Sequence, residues 1–214
     1  MIIKNFIKKL YNIPGTILLK LYSYKIDYIC NKYGISNYEI NRNRSIDVNG
    51  DVVLSWYELN KLPLKFNKVS GHFSCNGNKL KSLIGCPIEV GGDFSCVINQ
   101  LTSLVGSPNK VGGYFDCSKN KLTTLMGGPE IVGGEYNCNF NELTSLVGSA
   151  IEIGGVIYYH YNLLHPFYNQ AYNELNSQDL LVFIKYAEYY EIFLPVFNKQ
   201  NGLDLINDIR SGLK

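Results

Sequence analysis

The side chains in this 214-residue chain that carry the most chemical potential are thiols. Of the six cysteines, Cys75, Cys96, Cys117 and Cys138 stand 21 residues apart. A thiolate could act as nucleophile, metal ligand or half of a disulfide, but each role needs a partner that converges on it. No C-x2-C pair exists, and a 21-residue period sets equivalent residues side by side rather than around a point. On adjacent parallel strands such cysteines lie about 4.8 Å apart and point the same way, which is wrong for the turned geometry of a disulfide. The expectation is a ladder of buried, reduced thiols with no metal and no cofactor, as suits a cytoplasmic setting. The three histidines are as scattered. His72 and His160 fall four units apart on outward positions, and His165 sits beside Pro166. They share neither a metal nor a proton, and no nucleotide-, zinc- or hydrolase-type motif is present. The Gly-Gly pairs recur without a helix N-terminus behind them, so a turn explains them better than a phosphate loop. The sequence therefore points away from an enzyme.

What positions the thiols is the same 21-residue unit. Phe73, Phe94, Phe115 and Tyr136 sit two residues before each cysteine, and Asn78, Asn99, Asn120 and Asn141 three after it. Leu80/Leu101/Leu122/Leu143 and Leu83/Leu104/Leu125/Leu146 follow, then a glycine column, Pro87, Pro108, Pro129 or Ala150, and Val90, Val111, Val132 or Ile153 before the next Gly-Gly. A fixed period of this length marks a solenoid, whose units stack because none buries a core alone. Asp93 to Val97 alternates as a half-buried strand, with Phe94 and Cys96 inward and Asp93, Ser95 and Val97 outward. Asn99 falls where the chain turns, and its amide is expected to bond the bend's free backbone groups, as its equivalents do in neighbouring coils. Gly91 and Gly92 permit a tight bend.

The run F-x-C-x-x-N-x-L-x-x-L resembles the L-x-L-x-x-N-x-L core of leucine-rich repeats, with cysteine in one leucine slot. The fuller form V-G-G-x-F-x-C-x-x-N-x-L-T-S-L-x-G-x-P is similar to a short repeat family frequent in proteins of bacteriophages and other viruses. Matching residues run from about Asn49 to Asn162. The resemblance implies an α+β solenoid with a parallel β-sheet face used as an interaction scaffold, and a virus-encoded protein that binds or inhibits a host factor in the host cytoplasm.

Outside the regular coils the pattern degrades in readable ways. Asn49 to Val69 is a first coil with Val52, Leu54, Leu59, Leu62 and Val69 inward, Tyr57 in the asparagine slot, and Leu64 and Phe66 in place of Gly and Pro. Gly154 to Pro166 begins a sixth coil, with Ile157 and Tyr159 inward and Asn162 keeping the ladder. Before the coils, Ile2, Ile3, Phe6, Ile7 and Leu10 predict a short basic helix, stopped by Pro14-Gly15. Thr16 to Lys32 predicts a second, with Leu18, Leu19, Tyr22, Ile26 and Ile29 on one face and Gly34 as terminator. Tyr38 to Val48 reads as short extended segments. After the coils, Ser177 is the expected cap of a helix to about Ile192, burying Leu180, Leu181, Phe183, Ile184 and Ala187; Pro195 breaks it, and Gly202 to Ile209 forms a last helix on Leu203, Leu205, Ile206 and Ile209. Tyr168, Tyr172, Tyr186, Tyr189, Tyr190, Phe193 and Phe197 are expected to pack the cap. The organisation is thus a helical cap and lead-in over 1–48, a solenoid over 49–165 (49–69, 70–90, 91–111, 112–132, 133–153 and a partial 154–165), and a helical cap over 166–214. No secretory signal or membrane span is expected, since Lys20, Lys25 and Asp27 interrupt the apolar run from Ile17 to Cys30.

Charge decides which partners the strand face suits. Net charge is +2, but residues 1–44 hold eight Lys or Arg against Asp27 and Glu39. The outward strand positions carry Asp51, Asp93, Asp116 and Glu135 and no Lys or Arg. Nucleic acid is therefore not expected there, since its affinity rests on neutralising phosphates. Lys79, Lys81, Lys119 and Lys121 belong to the solvated edge beyond the strand. A polar or basic segment of a partner protein fits the face, contacting His72, Asp93, Tyr114, Asp116, Glu135, Asn137, Tyr158 and His160, with Phe140 and Tyr161 as flanking anchors. The alternatives are a structural component that self-associates through its caps, as a homo-oligomer or within a particle, and a membrane contact through the basic first helix.

Overall fold

In the computed structural model, which describes residues 15–187, 189, 190, 192, 193 and 197–214, the chain winds into a parallel β-solenoid closed by helices at both ends. Each coil contributes two short strands. One set builds a seven-stranded sheet ordered β1 (Tyr38–Ile40), β2 (Ile46–Val48), β4 (Phe66–Val69), β6 (Glu89–Val90), β8 (Lys110–Val111), β10 (Ile131–Val132) and β12 (Glu152–Ile153). The other builds a six-stranded sheet from β3 (Val52–Val53), β5 (Phe73–Ser74), β7 (Phe94–Ser95), β9 (Phe115–Asp116), β11 (Tyr136–Asn137) and β13 (Ile157–Tyr158). All pairs are parallel except β1 with β2, and the register is 21 residues from coil to coil, as in Phe94 to Phe115 and Val90 to Val111. The six-stranded sheet is the strand face that the alternation predicts. The second parallel sheet is not in the sequence reading: there a single inward residue per coil, such as Val90, is all that marks a strand.

The core is a set of columns. Phe73, Phe94 and Phe115 stack with centroids 5.6 and 5.4 Å apart, nearly parallel, and Tyr136 continues the column tilted by 43°. The four repeat cysteines and both leucine columns are fully buried. All six cysteines are free thiols. Tyr136 is the exception in its column, because its phenol hydroxyl is buried without a hydrogen-bond partner. Gly128 faces that hydroxyl where other coils place Cys86, Ser107 and Ser149, and a Cβ there would stand 3.2 Å from the oxygen.

The Gly-Gly bends owe their composition to close approach rather than to positive φ. A Cβ on Gly91, Gly112, Gly133 or Gly154 would come within 2.1 to 2.2 Å of the carbonyl oxygen of the preceding coil. The later glycines, Gly85, Gly106, Gly127 and Gly148, do hold positive φ, from 80° to 103°. On the third side of the coil one backbone bond recurs in every turn, from Lys79, Gln100, Lys121, Glu142 and Leu163 to the leucine carbonyl of the coil before, each at 2.9 Å, and Thr123 adds a longer one to the Thr102 carbonyl at 3.4 Å.

The irregular first coil packs as its sequence implies. Val52, Leu54, Leu62, Phe66 and Val69 are buried and Leu59 is partly so. Tyr57 does not extend the asparagine ladder; it meets Tyr33 edge-on at 4.9 Å. Helix α1 (Gly15–Lys32) covers this end with Ile26 and Cys30, and Gly34 ends it at φ 66°. The predicted helix over Ile2 to Leu10 and the break at Pro195 lie outside the described residues, as do the side chains of Leu18 and Leu19.

At the other end α2 (Phe167–Glu174), α3 (Ser177–Tyr186) and α4 (Lys199–Arg210) close the stack. The helix α2 is an addition to the sequence reading, held by buried Phe167, Tyr168 and Ala171. The cap of α3 is Asn176, whose side chain accepts from the amides of Gln178 and Asp179, so Ser177 is already helical. That helix ends at Tyr186, with Leu181 only half-buried, while Leu180, Phe183, Ile184 and Ala187 are buried as expected. In α4, Leu205, Ile206 and Ile209 form the buried stripe, and Leu203 is partly buried. Gln178 Nε2 donates to the Ile153 carbonyl at 3.2 Å, giving the terminal strand of the larger sheet a partner that no further coil supplies. Tyr168 and Phe193 stack in the cap, whereas Tyr189 is exposed.

Candidate interaction surface

The asparagine ladder fixes the geometry on which the strand face is mounted. In each coil the side-chain amide donates three ways and accepts once. Asn120 Nδ2 gives to the carbonyls of Cys96 at 3.0 Å, Cys117 at 3.1 Å and Ser118 at 3.2 Å, while its Oδ1 takes the Leu101 amide at 3.1 Å. The same set recurs at Asn78, Asn99, Asn141 and Asn162. Each asparagine therefore bonds its own turn and the coil before it. The turn forces the residue just ahead of the asparagine, or of Tyr57 in its slot, into the left-handed region: Trp56, Gly77, Ile98, Lys119, Phe140 and Tyr161 all have φ between 54° and 65°. These residues form a ridge along one border of the six-stranded sheet.

Across the sheet, outward side chains are partly spent on one another. Asp51 Oδ1 accepts the His72 amide at 2.8 Å, His72 Nδ1 accepts the Asp93 amide at 2.9 Å, and Asp93 Oδ1 accepts the Tyr114 amide at 2.8 Å. One row over, Asn137 Nδ2 donates to Asp116 Oδ2 at 3.2 Å, and in the row beyond that Asn139 Oδ1 accepts the His160 amide. His72 and Asp93 are thereby tied into the coil-to-coil ladder at the N-terminal half of the sheet. His160 lies at its far end, stacked on Tyr159 and edge-on to Tyr172.

The structure gathers Tyr114, Asp116, Glu135, Asn137 and Tyr158 on β9, β11 and β13 or directly ahead of them. Tyr158 donates to Glu135 Oε1 at 3.2 Å, and the carboxylate charge raises the phenol pKa. Next to this acidic patch the ridge turns aromatic. Phe140 and Tyr161 stack at 4.3 Å with their planes 8° apart, yet stay 45 and 73 % exposed, and Lys119 Nζ sits 5.8 Å from the Phe140 centroid. Sequence reasoning finds Phe140 and Tyr161 but passes over Trp56 and Ile98 on the same ridge. The glycine at position 77 of that column is the available signal, because it marks a slot where positive φ is required.

The thiol column offers no site to a ligand from solution. Burial raises Cys96, Cys117 and Cys138 above the ordinary thiol range, so they stay protonated at neutral pH. Among the described residues no group of three His, Cys, Asp or Glu side chains is placed to hold a metal ion. Nor is any described helix long and apolar enough to cross a membrane.

On the larger sheet the outward column alternates in sign, Asp47, Lys68, Glu89 and Lys110, with Lys68 and Glu89 paired at 2.8 Å. It floors a groove of about 760 Å³ bordered by Asn37 and Glu39. Because its charges neutralise one another within the sheet, it offers less to a charged partner than the acidic strand face. Comparison with protein-family models, curated proteins and solved structures finds no match for this chain.

Proposed function

We propose that the chain is a non-catalytic protein-interaction module that binds a polar or basic segment of a partner protein on the C-terminal half of the six-stranded sheet. The observation that supports this most directly is the exposed, mutually stacked Phe140–Tyr161 pair on the border of the sheet whose outward face carries Asp116 and Glu135. Two preordered aromatic faces supply contact area at little cost in side-chain entropy, and the acids supply charge selection. Tyr114, exposed on the same face, is the third anchor. The resemblance of the repeat to those of bacteriophage and other viral proteins makes a host factor, bound or inhibited in the host cytoplasm, the partner to seek. The ladder of reduced thiols is in keeping with that compartment.

The test is affinity capture from host lysate with the native chain beside a Tyr114→Ala/Asp116→Ala/Glu135→Ala variant and a Phe140→Ser/Tyr161→Ser variant, each first shown to be folded. A protein held by the native chain, lost by both variants, and rebinding in purified form with the same difference supports the strand face. A protein held equally by all three removes it.

A second reading, self-association in a larger assembly, draws on a different surface. Ile84, Val105 and Met126 form an exposed apolar column on the third side, which leads past Val147 toward a cavity of about 450 Å³ against Leu181 and Val182 of α3. Concentration-dependent sedimentation that is lost on Val105→Ser/Met126→Ser would favour it.

A further inference from the structure

Helix α1 has two apolar faces where a cap requires one. Ile26 and Cys30 are buried on the first coil, with Tyr22 and Tyr33 packed beside them. On the opposite side Leu21, Tyr24 and Tyr28, spaced as i, i+3 and i+7, are 58, 73 and 63 % exposed. A helix that lays one stripe on a core carries polar residues on the other, and a contiguous apolar stripe left in water marks a contact surface.

The charges around the stripe say what covers it. Lys25 and Lys32 are exposed on its flank. Asp27, the helix's only acid, lies on the other side and accepts the Tyr38 hydroxyl at 2.6 Å, so it is turned toward the hairpin. Over residues 15–44 there are five Lys or Arg against Asp27 and Glu39, and residues 1–14 add Lys4, Lys8 and Lys9 with no acid. A second copy of the chain is a poorer occupant, because an antiparallel two-fold contact between these stripes would bring the two lysine flanks together. An anionic lipid surface answers both features. Tyrosine rings favour the headgroup boundary, an amphipathic helix buries its apolar stripe there, and lysines beside it are attracted to acidic lipid.

We propose that the outer face of α1 docks the protein on an anionic bilayer, with Leu21, Tyr24 and Tyr28 entering the headgroup boundary and Lys25 and Lys32 meeting the net negative headgroups of acidic lipid. The surface lies at the end of the solenoid away from Phe140 and Tyr161, so the proposal stands independently of the strand-face reading.

The experiment is flotation of the full chain with phosphatidylcholine vesicles, with and without phosphatidylserine. Binding is expected only to the phosphatidylserine vesicles. It should weaken roughly tenfold or more in Tyr24→Ser/Tyr28→Ser and in Lys25→Glu/Lys32→Glu, and persist in Tyr24→Trp. All four side chains are exposed, so circular dichroism and the urea midpoint should stay unchanged. Absence of flotation with either vesicle, or flotation of the variants equal to that of the native chain, overturns the proposal. So does a dimer seen by sedimentation velocity that the Tyr24→Ser/Tyr28→Ser variant abolishes while neither chain floats. Loss of the host partner through the strand-face variants would leave the flotation result untouched, and the reverse also holds.

Discussion

Asn120 joins two coils with four hydrogen bonds from one side chain. Replacing it with alanine leaves the Leu101 amide without that partner, at about 1–3 kcal/mol, while the carbonyls of Cys96 and Cys117 keep the bonds from Asn99 and Asn141. Asn120→Ala should therefore lower stability by about 2 kcal/mol in urea titration, several times the effect of an ordinary surface change. Tyr136 presents the opposite case. Its hydroxyl is buried and unpaired, so Tyr136→Phe should raise stability by about 1 kcal/mol, read from the same titration. At this scale the sequence was informative wherever a residue repeats. The Phe, Cys, Asn and Leu columns declare their burial by recurring at the same step. It was silent on the outward residues, because the Asp93 carboxylate and the His72 imidazole look like free binding groups until the register shows each accepting the amide one coil on. The unsatisfied hydroxyl of Tyr136 was equally hidden, since it depends on Gly128 lying opposite.

The thiol column makes stability depend on alkaline pH. Burial raises Cys96, Cys117 and Cys138 above the usual value of 9.0 and Cys30 to about 11. Above about pH 9 the unfolded chain releases thiol protons that the folded chain retains, so the native state binds more protons and stability falls as pH rises. Each such thiol contributes about 1.4 kcal/mol per pH unit between its unfolded and folded pKa. The urea midpoint should hold steady up to about pH 8 and drop steeply toward about pH 10. A Cys96→Val/Cys117→Val variant should show a shallower drop. Among the elements, the strand face was readable because Phe94, Ser95 and Cys96 alternate. The second sheet was not: strands of two residues, such as Glu89–Val90, leave no alternation to count, and they exist because the neighbouring coil pairs with them. Helix α2 escaped notice for a related reason. It is eight residues long and polar on average, and it is held by Phe167 and Tyr168 packing against the aromatic rings of α3 and its surroundings rather than by its own propensity.

At the level of the whole molecule, coils that contact only their neighbours are interchangeable in length. Deleting residues 91–111 would bring Phe73 onto Phe115 and Cys75 onto Cys117 with every column intact. The shortened protein is expected to fold with reduced stability, as seen by circular dichroism and urea titration, because one coil's core and one interface are gone. Deleting residues 92–111 instead should abolish folding, since a one-residue slip turns inward side chains outward. The ends resist such trimming, as they are made of unlike parts: an antiparallel hairpin, β1 and β2, on one side and three helices on the other. The asparagine and backbone bonds between coils have a mechanical consequence. They run along the axis of the stack, so tension applied at the two ends loads them one interface at a time instead of shearing a whole sheet at once. A single molecule drawn out in an optical trap should yield in equal steps, each freeing 21 residues and adding roughly 70 Å of contour. The chain would behave as a strap that pays out in fixed increments and shortens by the same increments when the load is removed.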